Sequence, residues 1–138
     1  MQITEAIAVE HATLLEVFDQ VEQVLPELTS AAEVGRLARI LEGLLGTHAE
    51  LEVNFAFVAL DHTLHQRKRL RTLYQDHGES DGRLRQVHAA PTCERARGLL
   101  RTAMRASREH FRDEERNPLS GAGAGARAGR FGRLGRGF

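Results

Sequence analysis

Four segments of this sequence repeat apolar residues at intervals of three and four positions, the spacing that lays one stripe along an α-helix. The first stripe contains Ile7, Leu14, Phe18, Val21 and Leu25. Proline occurs only at positions 26, 91 and 118, and no segment alternates apolar and polar residues as a half-buried strand would. The spacing therefore predicts an all-α chain with helices over about residues 4–25, 30–61, 66–89 and 92–118.

Short connections join the predicted helices, and short connections place successive helices antiparallel. Pro26 ends the first helix, Ser30 is a suitable N-cap for the second, and Pro91 with Thr92 indicates a break followed by an N-cap. We therefore predict an up-down-up-down four-helix bundle over residues 1–119. Residues 120–138 are rich in glycine, alanine and arginine and poor in apolar side chains, so they are predicted to form a flexible, disordered tail.

Charge and cysteine content exclude several classes of protein. The 138 residues contain 19 Lys+Arg and 19 Asp+Glu, so the balanced chain gives no general case for binding nucleic acid or a membrane surface. The four arginines of the tail would give only weak, salt-sensitive contacts with nucleic acid. Cys93 is the only cysteine, which excludes an internal disulfide and an all-thiolate metal site. The sequence shows neither a signal-peptide pattern nor a long apolar run, so we expect a cytoplasmic protein.

Each predicted helix carries histidine or carboxylate residues at stripe positions where a core residue is expected. These residues are His11, His48, Glu52, His77, Asp81, His110 and Glu114. Burying seven polar groups without partners would cost on the order of 14 kcal/mol, which is comparable with the whole stability of a domain. The groups must therefore be exposed, pair with one another, or bind a ligand.

The spacing of these residues favours a shared site. His48 with Glu52, His77 with Asp81, and His110 with Glu114 are all i, i+4 pairs, so both members of a pair lie on one helix face. If the candidate residues of all four helices lie at the same height in the bundle, each turn should fall midway between successive pairs along the chain. Turns are then expected near residue 30, near residues 64–65 and near residue 95. The third of these positions lies about one helical turn beyond Pro91. Imidazole and carboxylate ligands without thiolate suit iron, manganese or zinc, and carboxylates can bridge two metals.

These motifs resemble the hemerythrin-like, or HHE cation-binding, domains over about residues 5–119. The resemblance lies in a single histidine on the first helix, a His-x-x-x-Glu motif on the second and fourth helices, and a histidine with a second ligand one turn on in the third. It implies a non-haem site of two iron ions with an oxo or hydroxo bridge, in which Glu52 and Glu114 bridge the metals. His11 and His48 would complete one iron, and His77, Asp81 and His110 the other.

The same resemblance implies one open iron position, where O2, NO or peroxide could bind. Asp81 stands where the oxygen-carrying hemerythrins have a histidine, and a carboxylate there would stabilise ferric iron. We therefore expect oxygen or redox sensing, or iron handling, rather than reversible oxygen transport. Two alternatives stay open from the sequence: a ferroxidase or peroxidase-like di-iron enzyme, and a metal-free or zinc-stabilised interaction bundle. The sequence does not specify an oligomeric state.

Overall fold

Four α-helices account for nearly all of the chain that the computed structural model describes, which is residues 3–59 and 64–116, without the side chains of residues 3–4, 55–59, 64–70 and 72–74. The helices are α1 (Ile3–Val24), α2 (Ala31–Ala59), α3 (Leu64–His88) and α4 (Cys93–Arg116). The all-α prediction is confirmed, and the predicted helix ends agree to within about two residues. The predicted tail at 120–138 lies outside the described residues.

Side-chain caps start α2 and α4 where the sequence predicts them. The Glu33 amide donates to Ser30 Oγ at 3.2 Å, and the Glu33 carboxylate accepts a hydrogen bond from the Thr29 amide at 3.2 Å. Hydrogen bonds from Thr29 lower the pKa of the Glu33 carboxyl. At the start of α4, the Arg95 amide donates to Thr92 Oγ1 at 3.1 Å. Each cap satisfies an amide that the first helical turn leaves without a partner.

Contacts between α2 and α3 show that these helices run antiparallel. Glu52 of α2 contacts His77 of α3, and Glu42, ten residues earlier, contacts His88, eleven residues later. The connection between α3 and α4 occupies residues 89–92, somewhat before the position near residue 95 that equal levels would require. The helices pack together as the predicted bundle nevertheless.

The apolar core fills the half of the bundle next to the 25–30 and 89–92 connections. Its fully buried side chains include Phe18, Leu25, Leu41, Leu84 and Leu100. None of the helices in the described ranges is long and apolar enough to cross a bilayer. Among the described side chains, the other half of the bundle buries the polar residues His11, His48 and Glu52.

Arg108 holds α1 against α4. Its guanidinium donates to Glu22 Oε1 and to Asp19 Oδ1, each at 2.8 Å, and lies 5.7 Å from the centre of the Phe18 ring. The carboxylates of Glu22 and Asp19 raise the pKa of Arg108 although partial burial opposes this. Further along the same pair of helices His11 contacts Glu114, so α1 and α4 also run antiparallel.

We predict that Arg108→Ala lowers the free energy of unfolding of the metal-free protein by about 1–2 kcal/mol, because one side chain makes two ion pairs and a cation–π contact. Urea unfolding followed by circular dichroism measures the change. Arg112→Ala is the matched control, since Arg112 is exposed on the same helix. Equal stability of the two variants would contradict a structural role for Arg108.

Candidate metal centre

Histidine and glutamate side chains from all four helices meet inside the polar half of the bundle. The residues are His11, His48, Glu52, His77, His110 and Glu114. They form two groups in which one ligand atom from each residue lies within 4.8 Å of the others. The first group contains His11, His48, Glu52 and Glu114, and the second contains Glu52, His77 and His110.

The first group is built around two imidazoles that face each other. His11 Nε2 lies 3.1 Å from His48 Nε2, a contact in which only one of the two nitrogens can supply the proton. Glu52 Oε1 lies 2.7 Å from His48 Nε2, and Glu114 Oε1 lies 3.2 Å from His11 Nε2. Two nitrogens and two carboxylate oxygens therefore surround one small volume.

The same two carboxylates also reach the second pair of histidines. Glu52 Oε1 lies 3.6 Å from His77 Nε2, and Glu114 Oε1 lies 3.3 Å from His110 Nε2. Each glutamate is thus placed between one histidine of the first pair and one of the second. This is the arrangement that a carboxylate bridging two metal ions requires.

Seven buried polar atoms of these residues have no hydrogen-bond partner. They are His11 Nδ1, both carboxylate oxygens of Glu52, His77 Nε2, His110 Nε2 and both carboxylate oxygens of Glu114. Although Glu52 Oε1 is close to His48 Nε2, it is not among the hydrogen-bonded atoms. A buried polar atom without a partner costs about 1–3 kcal/mol. All seven atoms belong to residues of the two groups, and bound cations would satisfy every one except His11 Nδ1, since His11 faces the group with Nε2. The residues present therefore fit a metal site.

The two glutamates have opposite electrostatic character in the metal-free site. Burial and the adjacent Glu52 carboxylate raise the pKa of Glu114 well above its usual range. Burial would also raise the pKa of Glu52, but contacts with His48, His77 and Glu114 outweigh it and lower that pKa. Each carboxyl group opposes ionisation of the other, because two like charges at this distance repel each other.

Burial keeps two of the imidazoles neutral, which is the form that binds metal. Desolvation and the neighbouring His48 lower the pKa of His11 to about 4. Desolvation also lowers the pKa of His110. For His48, burial would lower the pKa, but Glu52 and Glu10 outweigh it and raise the value.

One histidine of each pair has a carboxylate at its outer nitrogen. Glu10 Oε1 lies 2.8 Å from His48 Nδ1, and Asp76 Oδ2 lies 3.7 Å from His110 Nδ1. A carboxylate at this position fixes the tautomer and orientation of a metal-binding imidazole and raises its basicity. The His48 ring is therefore held with Nε2 directed towards the shared volume.

Phe111 seals the first group from water. Its ring stacks on the His11 ring with 4.2 Å between centres and 14° between planes, and it lies edge-on to His48. Phe18 stacks on the other side of Phe111 at 6.1 Å. His11 is fully buried and His48 is only 2% exposed, so this side of the site is closed by apolar packing.

Residues 2–118 match the family model of the Hemerythrin HHE cation binding domain. The chain belongs to this family. The match spans all four helices and every residue of the two groups, and it confirms the resemblance found in the sequence. Comparison with curated proteins and comparison with solved structures each gave no match.

The structure of this hemerythrin-family domain brings together six of the seven ligands predicted from the sequence and leaves Asp81 apart. Asp81 is exposed in the wall of a cavity beside the site and belongs to neither group. The inward face of α3 is marked by the buried residues Leu84 and Val87 and by half-buried Ser80. Asp81 lies about 100° around the helix from Ser80 and about 40° from His77, so it lies at the exposed edge of that face. A direct bond from Asp81 to a metal stays a prediction.

Sequence reasoning did not assign a role to Glu10 or Asp76. Each directly precedes a histidine of the two groups in the sequence, yet each contacts the histidine of a different helix, His48 or His110. An acid directly before a histidine is the only local signal, and it also selects Asp61 before His62. The role depends on packing between helices, which the spacing along one helix does not report.

We predict that Glu10→Ala lowers the affinity for metal about 10–100-fold while the number of metal ions per chain stays the same, because the variant removes the carboxylate that orients His48. Competition with a chromogenic chelator measures the affinity. Glu16→Ala, an exposed acid on the same helix, is the matched control. Wild-type affinity in Glu10→Ala would show that His48 needs no orienting carboxylate.

Proposed function

We propose that this domain holds two iron ions among its four helices and binds O2, NO or peroxide at an open iron position, acting in oxygen or redox sensing or in iron handling. The proposal rests on the placement of Glu52 and Glu114, each of which lies between a histidine of the first pair and a histidine of the second. The proposed ligands are His11 and His48 for one ion, His77 and His110 for the other, and the two glutamates for both.

Two ions account for the site better than one. A single cation in the first group would leave His77 Nε2 and His110 Nε2 buried without partners, because neither atom has a hydrogen-bond partner within the protein. A metal-free interaction bundle explains the site less well than a single cation does, because all seven buried polar atoms would stay without partners. Nitrogen and oxygen donors of this kind suit iron, with manganese and zinc as the competing ions.

The second pair of histidines faces the space through which a small ligand would approach. A cavity of about 650 Å³ lies between α2, α3 and α4, and His77 and His110 are among the residues that line it. When bound, iron supplies an open coordination position for a small molecule. Phe111, at the inner end of this cavity, packs against His11, so a small ligand that enters the cavity would meet the second pair of histidines first.

Metal content tests the proposal directly. Wild-type protein loaded anaerobically with Fe(II) should contain two iron ions per chain, and Glu52→Gln should lose two-metal binding because the bridging charge is removed. His88→Gln, whose histidine contacts Glu42 away from the site, is the matched control and should retain two ions. Inductively coupled plasma analysis gives the stoichiometry, and absorption spectra with O2, NO or peroxide report ligand binding.

The outcomes of that measurement separate the alternatives. Equal iron content in Glu52→Gln and His88→Gln would refute the assignment of the site. A spectrum that changes once and then stays constant on addition of O2 or peroxide supports a binding or sensing protein. Repeated consumption of O2 with added Fe(II) would instead establish a ferroxidase.

A separate variant tests Asp81. We expect Asp81→Asn to retain two metal ions per chain, because six ligand side chains already converge without it. Metal analysis beside Glu52→Gln gives the comparison. Loss of one ion in Asp81→Asn would show that Asp81 is an essential ligand of the second metal and that the carboxylate moves inward when the ion binds.

A further inference from the structure

The cavity beside the second histidine pair has a strongly acidic wall. Six carboxylates besides Glu52 line it, here called the acidic rim: Glu50, Asp76, Glu79, Asp81, Glu109 and Asp113. Among the described residues that line the cavity, Arg83 is the only lysine or arginine, and its guanidinium lies 4.0 Å from Glu79. At neutral pH the acidic rim therefore gives the cavity a net negative charge.

This acidic cavity leads to a buried carboxylate. Glu52 also lines it, has no exposed surface, and has no hydrogen-bond partner for either oxygen. Half-buried Asp76 contacts His110, so one rim carboxylate reaches the site itself. Carboxylates thus line the cavity from its solvent-exposed wall to the unpartnered oxygens of Glu52, a proposed ligand.

Other approaches to the site are closed among the described residues. His11 and Glu52 are fully buried, His48 is 2% exposed, and Phe111 covers the first histidine pair. The side chains of His77 and His110 are 16% and 24% exposed, and both line the acidic cavity. In the described part of the chain, the cavity is thus the open path to both groups.

We propose that the acidic cavity is the route by which hydrated divalent cations reach the buried site, and that the acidic rim speeds their uptake by electrostatic attraction. The inference rests on the proposed function, since it requires the two groups to bind cations. The acidic rim acts on the rate of loading, whereas the buried histidines and glutamates set how many ions are held.

The physical basis is the concentration of field lines in a cleft lined by one sign of charge. Such clefts raise the local concentration of an oppositely charged ligand and increase association rates by about 10–10³-fold. A divalent ion is attracted twice as strongly as a monovalent one. Because the rim carboxylates are solvated, the attraction must weaken with salt, since the Debye length falls from about 30 Å at 0.01 M to about 3 Å at 1 M.

Stopped-flow uptake of Co(II) by the metal-free protein tests the proposal, with the visible bands of bound Co(II) as the signal. The rim variant is Glu79→Gln/Glu109→Gln/Asp113→Asn, in which every changed residue is exposed and none is a proposed ligand. The matched control is Glu16→Gln/Glu27→Gln/Glu94→Gln, which removes the same number of charges from exposed positions that do not line the cavity.

We expect the rim variant to take up Co(II) about 5–10-fold more slowly than wild type at about 0.01 M salt, and less than about twofold more slowly at about 0.5 M salt. The control variant should differ from wild type by less than about twofold, and all three proteins should bind two ions at saturation. Equal rates in the rim and control variants would overturn the proposal. Loss of a bound ion in the rim variant would also overturn it, because the rim acids would then be ligands.

The same experiment distinguishes failure of this inference from failure of the proposed function. If wild-type protein binds two Co(II) ions and the rim variant loads at the wild-type rate, only the acidic route is wrong. If wild-type protein binds no Co(II), the proposed metal centre is wrong, and the route to it is refuted at the same time.

Discussion

The burial of two glutamates among four imidazoles is the constraint on which the rest of this structure depends. Glu52 has no exposed surface, and its oxygens and those of Glu114 lack hydrogen-bond partners. Such a cluster destabilises the bundle while its polar atoms lack partners, so another part of the structure must stabilise the fold. The apolar half around Phe18, Leu41 and Leu100 does this, because its buried apolar side chains form one contiguous cluster. Most of the apolar packing and the polar cluster therefore lie in different halves of the bundle, and Phe111 belongs to both.

The two histidine pairs differ in how they meet solvent, although they share both carboxylates. Phe111 packs against His11 and His48, which are at most 2% exposed, whereas the side chains of His77 and His110 are 16% and 24% exposed. An ion held by the first pair would be shielded from exchange and from incoming ligands. An ion held by the second pair would meet whatever enters the cavity. The shared glutamates couple the two positions, so a change of charge at the exposed ion would be felt at the shielded one.

The helices and six converging residues were predictable because both follow from spacing along single helices. Periodicity placed His48 with Glu52 on the face of one helix and His110 with Glu114 on the face of another. The break at Pro26 agreed with equal levels, whereas the break at Pro91 lay about one helical turn before the expected position. The phase of α3 was less predictable, since Gly78, Asp81 and Gly82 leave its stripe poorly marked. The four-residue spacing from His77 favoured Asp81, but Leu84 and Val87 mark the buried face and Asp81 lies exposed at its edge. The expected third turn is the midpoint between the candidate residues of α3 and those of α4. If Asp81 is not counted among them, this midpoint moves closer to the observed connection at 89–92.

Charge balance links the acidic cavity to the site that it adjoins. Two buried glutamates carry at most two negative charges, whereas two divalent cations bring four positive ones, and uncompensated charge in a buried site is costly. Solvated carboxylates next to the site offset part of this excess without occupying coordination positions. Their field also acts on incoming ligands, because it opposes anions and leaves uncharged molecules such as O2 and NO unaffected. A cavity that attracts the metal ion thus also favours neutral ligands for the site once it is loaded.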